Sequence, residues 1–285
     1  MLHFDSTYSF LKPPVNIFES IYQSELMRNL LEQEQRFGES HLGGKSRIAL
    51  FDLDNTLLVG DIGNAVFAHL LSENVPLSLT WSDYQRMVNE DPSAAYIEAV
   101  RTLDGLSLDY LIRATKRVLA LRSDTIVSRG VEVPVPKANQ TMIEVIHLLR
   151  LWEYTIYVIS ASNDISAKIA ASTLFDIPVN NIAGIKPRIV NGMITSHILN
   201  PIPVGDGKVA QYRLLSGDCM PMIVATDSDL DLPLLQMCDP DGLTILVGEN
   251  ESLYAKAKME LPLTVRIHRV SGTNYFSLTE QHCVA

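Results

Sequence analysis

Two aspartates one residue apart, Asp52 and Asp54, end a short apolar run and are followed directly by Asn55 and Thr56. In an extended chain their side chains point to the same side, so both carboxylates face one reacting group unless the chain turns between them. Carboxylates held that close repel, and a cation or a shared proton is needed to relieve them. Such a pair suits phosphoryl chemistry, in which one carboxylate attacks and the other handles a proton. Further along stand Ser160, Lys208 directly after Gly205-Asp206-Gly207, and the acidic run Asp227-Ser228-Asp229-Leu230-Asp231. Singly these are ordinary: D-x-D arises by chance, a serine after a strand is commonly an N-cap, and a lone lysine is commonly solvated. Together they make a nucleophile, a donor and a cation for phosphate oxygens, and a carboxylate for a metal.

The elements that must gather these residues are strands ending at one edge. Residues 48–51 read as a fully buried strand whose carboxyl end stops at an open crevice, where ligands of open α/β sheets bind. Residues 154–160, 222–226 and 243–247 read as further strands. Helices are expected at 140–152, at 162–174 with Ser162 as its cap, and from Lys208 to 215. This alternation predicts an α/β fold with a parallel sheet. Asn191-Gly192 between apolar runs predicts a hairpin.

Residues 59–137 carry four helical patterns: 61–73, 80–89 with Thr80 as a cap, a helix opened by Asp91-Pro92, and 107–121. Inserted after the first strand, they predict a helical cap that excludes water and chooses the leaving group. Residues 46–58 and 138–270 then form the core. Residues 1–45, with Pro13-Pro14 and a helix at 17–37, read as an extension packed on it, and 271–285 as a tail.

The 285-residue chain has a net charge of −10 and a pI near 5.1, which argues against nucleic-acid and anionic-membrane partners. No charged segment precedes an apolar stretch near the start, and no apolar run is long enough to span a bilayer. A cytoplasmic monomer or homodimer acting on a small molecule is expected. Cys219, Cys238 and Cys283 are too few and too scattered for a disulfide framework or a zinc site.

From about residue 47 to 270 the chain resembles the haloacid dehalogenase superfamily. D-L-D-N-T at 52–56 is similar to its first motif, I-S-A-S at 159–162 to its second, Lys208 to its third, and T-D-S-D-L-D at 226–231 to its fourth. The helical insertion, with the S-A-S and G-D-G-K wording, resembles the phosphoserine-phosphatase-like branch, subfamily IB with a C1 cap. Thr226 departs from the pattern, since relatives commonly carry glycine there.

The resemblance implies a Rossmann-like three-layer core with an inserted all-helical cap, and a Mg²⁺-dependent phosphomonoester hydrolase. Asp52 would attack phosphorus and form an aspartyl-phosphate, and Asp54 would protonate the leaving alkoxide and then activate water. Asp52, the Asp54 backbone carbonyl and Asp227 would hold the metal. Ser160, Ala161, Asn55 and Lys208 would hold the phosphate oxygens. Asp231 would orient Lys208 or a metal-bound water, and Asp229 would cap a helix. An acid at position 54 favours turnover, because members that keep the intermediate, such as ion-pumping ATPases, have threonine there. Phosphotransfer to an acceptor hydroxyl, and a non-catalytic phosphate-binding regulator, are the alternative functions.

Asp61 lies nine positions after Asp52, where phosphoserine phosphatases have a glutamate that receives the substrate amine. The string G-D-I-G-N-A-V-F looks more like members acting on phosphocholine-like esters. Asp61 is therefore either an acceptor for a substrate ammonium, as in phosphoserine, phosphocholine or phosphoethanolamine, or a helix cap. Arg101, Arg113 and Lys116 are candidate partners for a substrate carboxylate, with a solvated helix face as the alternative. Phe67, Trp81, Tyr84 and Tyr96 read as cap interior rather than a cage for a quaternary amine.

Overall fold

The computed structural model describes residues 25–38, 44–128, 130–261, 263–269 and 276–277. Pro13-Pro14, the 17–24 part of the expected first helix, most of the 271–285 stretch and Cys283 lie outside them.

Helix α1 (Glu25–Gly38) buries Leu26, Met27 and Leu30, while Gln33 Nε2 donates to the Asp241 carbonyl at 2.8 Å. Strand β1 (Ile48–Phe51) is four apolar residues buried on both faces. A turn over 53–57 and β2 (Leu58–Val59) lead into the insertion: α2 (Ile62–Ser72), α3 (Trp81–Glu90), α4 (Pro92–Arg101) and α5 (Leu108–Leu119). Each of these helices starts where its capping residue stands. Asp61, Thr80, Asp91 and Ser107 accept, through their side chains, a backbone N–H of the first turn.

The insertion is not wholly helical. β3 (Thr125–Ser128) and β4 (Val131–Pro134) form an antiparallel hairpin, which differs from the expected all-helical cap. The physical reason is local: Thr125, Ile126 and Val127 on one strand and Val131 and Val133 on the other are β-branched residues that favour extended backbone, Ile126 pairs with Val133, and Gly130 supplies a φ of +81°. The chain then returns through β5 (Lys137–Ala138), which pairs with β2 so that entry to and exit from the insertion form one ribbon.

The core continues with α6 (Gln140–Leu151), β6 (Thr155–Asn163), α7 (Asp164–Phe175), β7 (Ile182–Ile185), β8 (Pro187–Val190) and β9 (Met193–Ile198). It closes with α8 (Asp206–Ser216), β10 (Ile223–Thr226), α9 (Leu232–Leu235), β11 (Leu243–Val247), α10 (Glu251–Glu260), β12 (Leu263–Arg269) and β13 (Phe276–Ser277). The central sheet runs β12-β11-β10-β1-β6-β7, all parallel, with β13 antiparallel at the β12 edge. Ala49 and Phe51 of β1 enter one apolar cluster and Ile48 and Leu50 another, so each sheet face has its own core and the architecture is three-layered. β10, β1 and β6 are adjacent, and their carboxyl ends carry the acidic and hydroxyl residues.

The expected hairpin is present as β8 and β9, with Asn191 at φ 51° and Gly192 at φ 77° forming its turn. It reaches the insertion. Gly105 N donates to Ile194 O at 2.9 Å, Ile194 N to Leu106 O at 2.8 Å, and Leu108 N to Gly192 O at 2.9 Å. Among the described residues no helix is long and apolar enough to cross a membrane.

Candidate active site

The carboxyl ends of β10, β1 and β6 open into a cavity of about 110 Å³ roofed by the insertion. Asp52, Asp54, Asn55, Lys208, Asp227 and Asp231 line its floor, and Asp61, Phe67, Tyr84, Tyr96, Val100 and Leu103 its roof. Asp52 and Asp54 thus share one cavity although the chain bends sharply just after them, at Asn55, whose φ is 57°. Asparagine tolerates that left-handed conformation better than most residues.

Lys208 is the central cation. Its Nζ donates to Asp52 Oδ1 at 2.7 Å and to Asp231 Oδ2 at 2.8 Å, and all three side chains are buried. Burial opposes its charge, but Asp231 and Asp52 outweigh that and raise its pKa. Asp231 is held in turn by the Thr226 hydroxyl, which donates to Oδ2 at 2.6 Å. The residue that departs from the family pattern therefore fixes the carboxylate that fixes the lysine. Glycine is required at 207, because a Cβ there would lie 1.8 Å from the Ile202 carbonyl oxygen, and the lysine's helix starts at this close approach.

Thr56 Oγ1 lies 3.4 Å from Asp52 Oδ2 and 3.2 Å from Asp227 Oδ1, so one hydroxyl serves both carboxylates. Burial, then the charge of Asp52, pushes Asp227 well above the usual carboxylate range, and burial likewise raises Asp52 against the pull of Lys208. A hard divalent cation would relieve this repulsion, and the donor set is all oxygen. Among the described residues no three His, Cys, Asp or Glu side chains cluster as ligands. Asp52 and Asp227 would thus need a backbone carbonyl and water to complete a shell.

Asp54 has different neighbours. Ile62 N donates to its Oδ1 at 2.7 Å, and the hydroxyls of Ser160 and Ser162 donate to its Oδ2 at 2.9 and 2.7 Å. Burial and the nearby Asp61 raise its pKa to about 7 against these three donors. Ser160 sits beneath Asp54 and does not line the cavity, whereas Ala161, Ser162 and Asn163 do.

Two expected helix caps need correction. β6 runs on to Asn163, and it is Asn163, not Ser162, that caps α7, by accepting from Ser166 N at 2.8 Å. Ser162 is thereby free to hold Asp54 and to accept from Gly63 N at 3.1 Å, joining the acid to the first turn of the insertion. Asp229 caps no helix: Ser228 accepts from Leu230 N, and Asp229 receives Asn250 Nδ2 and Lys256 Nζ at the surface. Thr56, Ser162 and Thr226 are the site residues sequence reasoning missed.

Asp61 does cap α2, accepting from Asn64 N at 2.7 Å, and it also lines the cavity. Burial raises its pKa to about 6. Arg101 pairs with Glu98 and Arg113 with Asp109 on exposed faces, Lys116 is exposed, and none of the three lines the cavity. Phe67, Trp81 and Tyr84 pack as one ring cluster, as expected of a cap interior, yet Phe67, Tyr84 and Tyr96 also face the cavity.

Several solved structures share this architecture. A protein of unknown function from Bordetella pertussis Tohama I aligns over 77% of this chain and 98% of its own at 19% identity, with a TM-score of 0.61. A functionally unknown protein from Anaerococcus prevotii DSM 20548 aligns over 82% and 89% at 16% identity, with a TM-score of 0.62. A phosphoserine phosphatase, solved as a phospho-aspartyl intermediate analogue, aligns over 77% and 93% at 15% identity, with a TM-score of 0.50. At these identities the likeness is one of fold. No curated protein matches the sequence. The family model described as haloacid dehalogenase-like hydrolase matches residues 49–236, from β1 through the end of α9, and so takes in every strand end that faces the cavity. The chain belongs to the haloacid dehalogenase-like hydrolase family.

Proposed function

We propose that the protein is a Mg²⁺-dependent phosphatase that hydrolyses a small, amine-bearing phosphomonoester through an aspartyl-phosphate on Asp52. One observation supports this above the rest: two carboxylates share a cavity with opposite fittings, Asp52 tied to the Lys208 cation, and Asp54 held only by neutral N–H and O–H donors while burial and Asp61 raise it to about 7. A pair whose environments differ in this way divides into nucleophile and acid–base.

In the first half-reaction an Asp52 oxygen bonds to phosphorus as the bond to the leaving oxygen breaks, and Asp54 gives that oxygen its proton. In the second, Asp54 takes a proton from water, water oxygen bonds to phosphorus, and Asp52 leaves with phosphate released. Asn55, Ala161 and Lys208 would hold the equatorial oxygens. Ser160, now donating to Asp54, would have to turn to join them. Asp52, the Asp54 carbonyl and Asp227 would hold Mg²⁺, which supplies charge neutralisation to the phosphoryl group.

Turnover of an aryl phosphate should vanish with a chelator and return with Mg²⁺. Full activity in excess chelator would overturn the metal assignment. A second readout needs no activity. Asp52 and Asp227 have raised pKa values in the folded protein, so the folded state binds more protons than the unfolded one and metal-free stability falls as pH rises through that interval. Added Mg²⁺ must displace those protons. Its gain in Tm should therefore be larger at about pH 8 than at about pH 5.5. A pH-independent gain would place the ion elsewhere.

Ser162→Ala tests the acid's support. Losing one donor to Asp54, the variant should lose about tenfold in kcat for an alkyl phosphate, near the upper end of the range for an ordinary hydrogen bond, and much less for an aryl phosphate. Ser162→Thr should restore most of it. Equal losses on both substrates would mean that Ser162 only packs the loop.

A further inference from the structure

The floor of the cavity is fitted to a phosphoryl group, which every phosphomonoester has, so the roof must discriminate. Its composition is unusual for a site meant to receive an amino acid. Among the described residues Lys208 is the only basic side chain on the cavity, and both of its carboxylate partners lie within 2.8 Å. The insertion's own candidates, Arg101, Arg113 and Lys116, are on exposed faces. The roof instead offers three aromatic rings, aliphatic side chains and one carboxylate, Asp61. No ion pair joins Asp61 to a described cation, and its nearest donors are backbone N–H groups of its own helix. Tyr84 and Tyr96 lie close enough to Asp61 for its charge to raise both phenols, after burial, with Tyr96 pushed up to about 12. Both rings therefore stay neutral.

An anionic substituent entering beneath the roof would meet Asp61 and no described cation but a lysine already paired. A cationic one would meet a carboxylate that no described cation pairs, in a cavity it shares with three aromatic rings, the surroundings in which ammonium groups are recognised. Resting on the phosphatase reading above, we propose that the leaving group is a cationic alcohol without a carboxylate: an amino alcohol, not an amino acid, with its ammonium between Asp61 and the rings of Phe67, Tyr84 and Tyr96. The preference is a property of this chain's roof rather than of the shared core. It separates the protein in substrate from the phosphoserine phosphatase whose fold it shares.

The test compares kcat/KM for ethanolamine phosphate, choline phosphate, serine phosphate and the neutral ethyl phosphate, with p-nitrophenyl phosphate as a control. Either amino alcohol ester should exceed serine phosphate by at least about 100-fold. Asp61→Asn is the informative variant, because asparagine caps a helix as well as aspartate does and so removes the charge without removing the cap. Any effect that passes through Asp54, whose pKa Asp61 raises, is shared by ethyl phosphate, so the kcat/KM ratio of the amino alcohol esters to ethyl phosphate should fall by about tenfold or more. Serine phosphate turned over within tenfold of the better amino alcohol ester would overturn the proposal, as would parallel losses on charged and neutral esters. The two failures are distinct. If p-nitrophenyl phosphate is cleaved but the preference is absent, only this inference falls. If no phosphomonoester, p-nitrophenyl phosphate included, is cleaved with Mg²⁺ present, the phosphatase reading falls and takes the inference with it.

Discussion

Asp52→Asn should lower turnover at least about 1000-fold and leave the fold intact, because an amide is a poor nucleophile but keeps the shape and one acceptor oxygen of the acid. The bond it must preserve is the one from Lys208 Nζ to Oδ1, at 2.7 Å in the parent. Asparagine can still accept it, and Lys208 retains Asp231 as its charged partner. Burial already disfavours the Asp52 charge, and Asp227 is repelled by it, so removing the charge relieves two costs while weakening one ion pair. The metal-free variant should accordingly melt no lower than the parent by more than a few degrees. Measuring kcat and Tm on the same preparation separates the two claims. More than a tenth of parental turnover in a folded variant would remove Asp52 as nucleophile, whereas a collapsed Tm would make Asp52 a structural residue first.

Lys208→Met should be the most damaging single change to stability at the site. Methionine fills much of the lysine's volume, so packing is largely kept, but Asp52 and Asp231 are left buried without their shared cation. Breaking a buried pair from one side costs about 3–5 kcal/mol, mainly as the uncompensated charge that remains. The sign of the pH dependence identifies the cause. With the lysine gone Asp52, which burial already raises in the parent, loses the cation that pulls it down and lies further above its unfolded value near 3.8, so the folded state binds an extra proton and is favoured as pH falls toward that value. The stability deficit, from denaturant unfolding, should thus be large at about pH 8 and much smaller at about pH 5. A deficit constant over that range would point to lost packing instead. Turnover should be lost as well, since the attacking carboxylate is no longer oriented.

Much of this site was legible in the sequence because its chemistry sits at strand ends. An apolar run that stops at Asp52, or at Thr226 before Asp227, announces both a buried strand and the edge at which its next side chains emerge. Lys208 was legible through its glycines. What escaped was set by contacts between elements. Ser162 read as a helix cap because a capping serine and a serine at the end of a strand look alike, and three further residues of β6, 161 to 163, place it beside Asp54. Thr56 and Thr226 act through single hydroxyls whose partners lie on another strand or past a turn. Which cations of α4 and α5 face the cavity depends on how each helix is rotated against its neighbours, and sequence spacing leaves that rotation open. The β3–β4 hairpin was masked by its shortness: four residues a side show little period.

The hairpin of β8 and β9 changes the mechanics of the insertion. Joined to the core only through the β2–β5 ribbon, the insertion would swing on one hinge. Three backbone bonds to the loop between α4 and α5 fasten it at a second point, and with the Thr115 and Ser166 hydroxyls 2.8 Å apart between α5 and α7 a plate so pinned can twist but does not swing. Any traffic of substrate that depended on lifting the insertion would have to break those bonds in every cycle. The amides of Gly105, Leu108 and Ile194 are therefore natural gauges of such lifting: in hydrogen exchange they lose protection together if the second pin releases, and keep it if ligands pass while both pins hold.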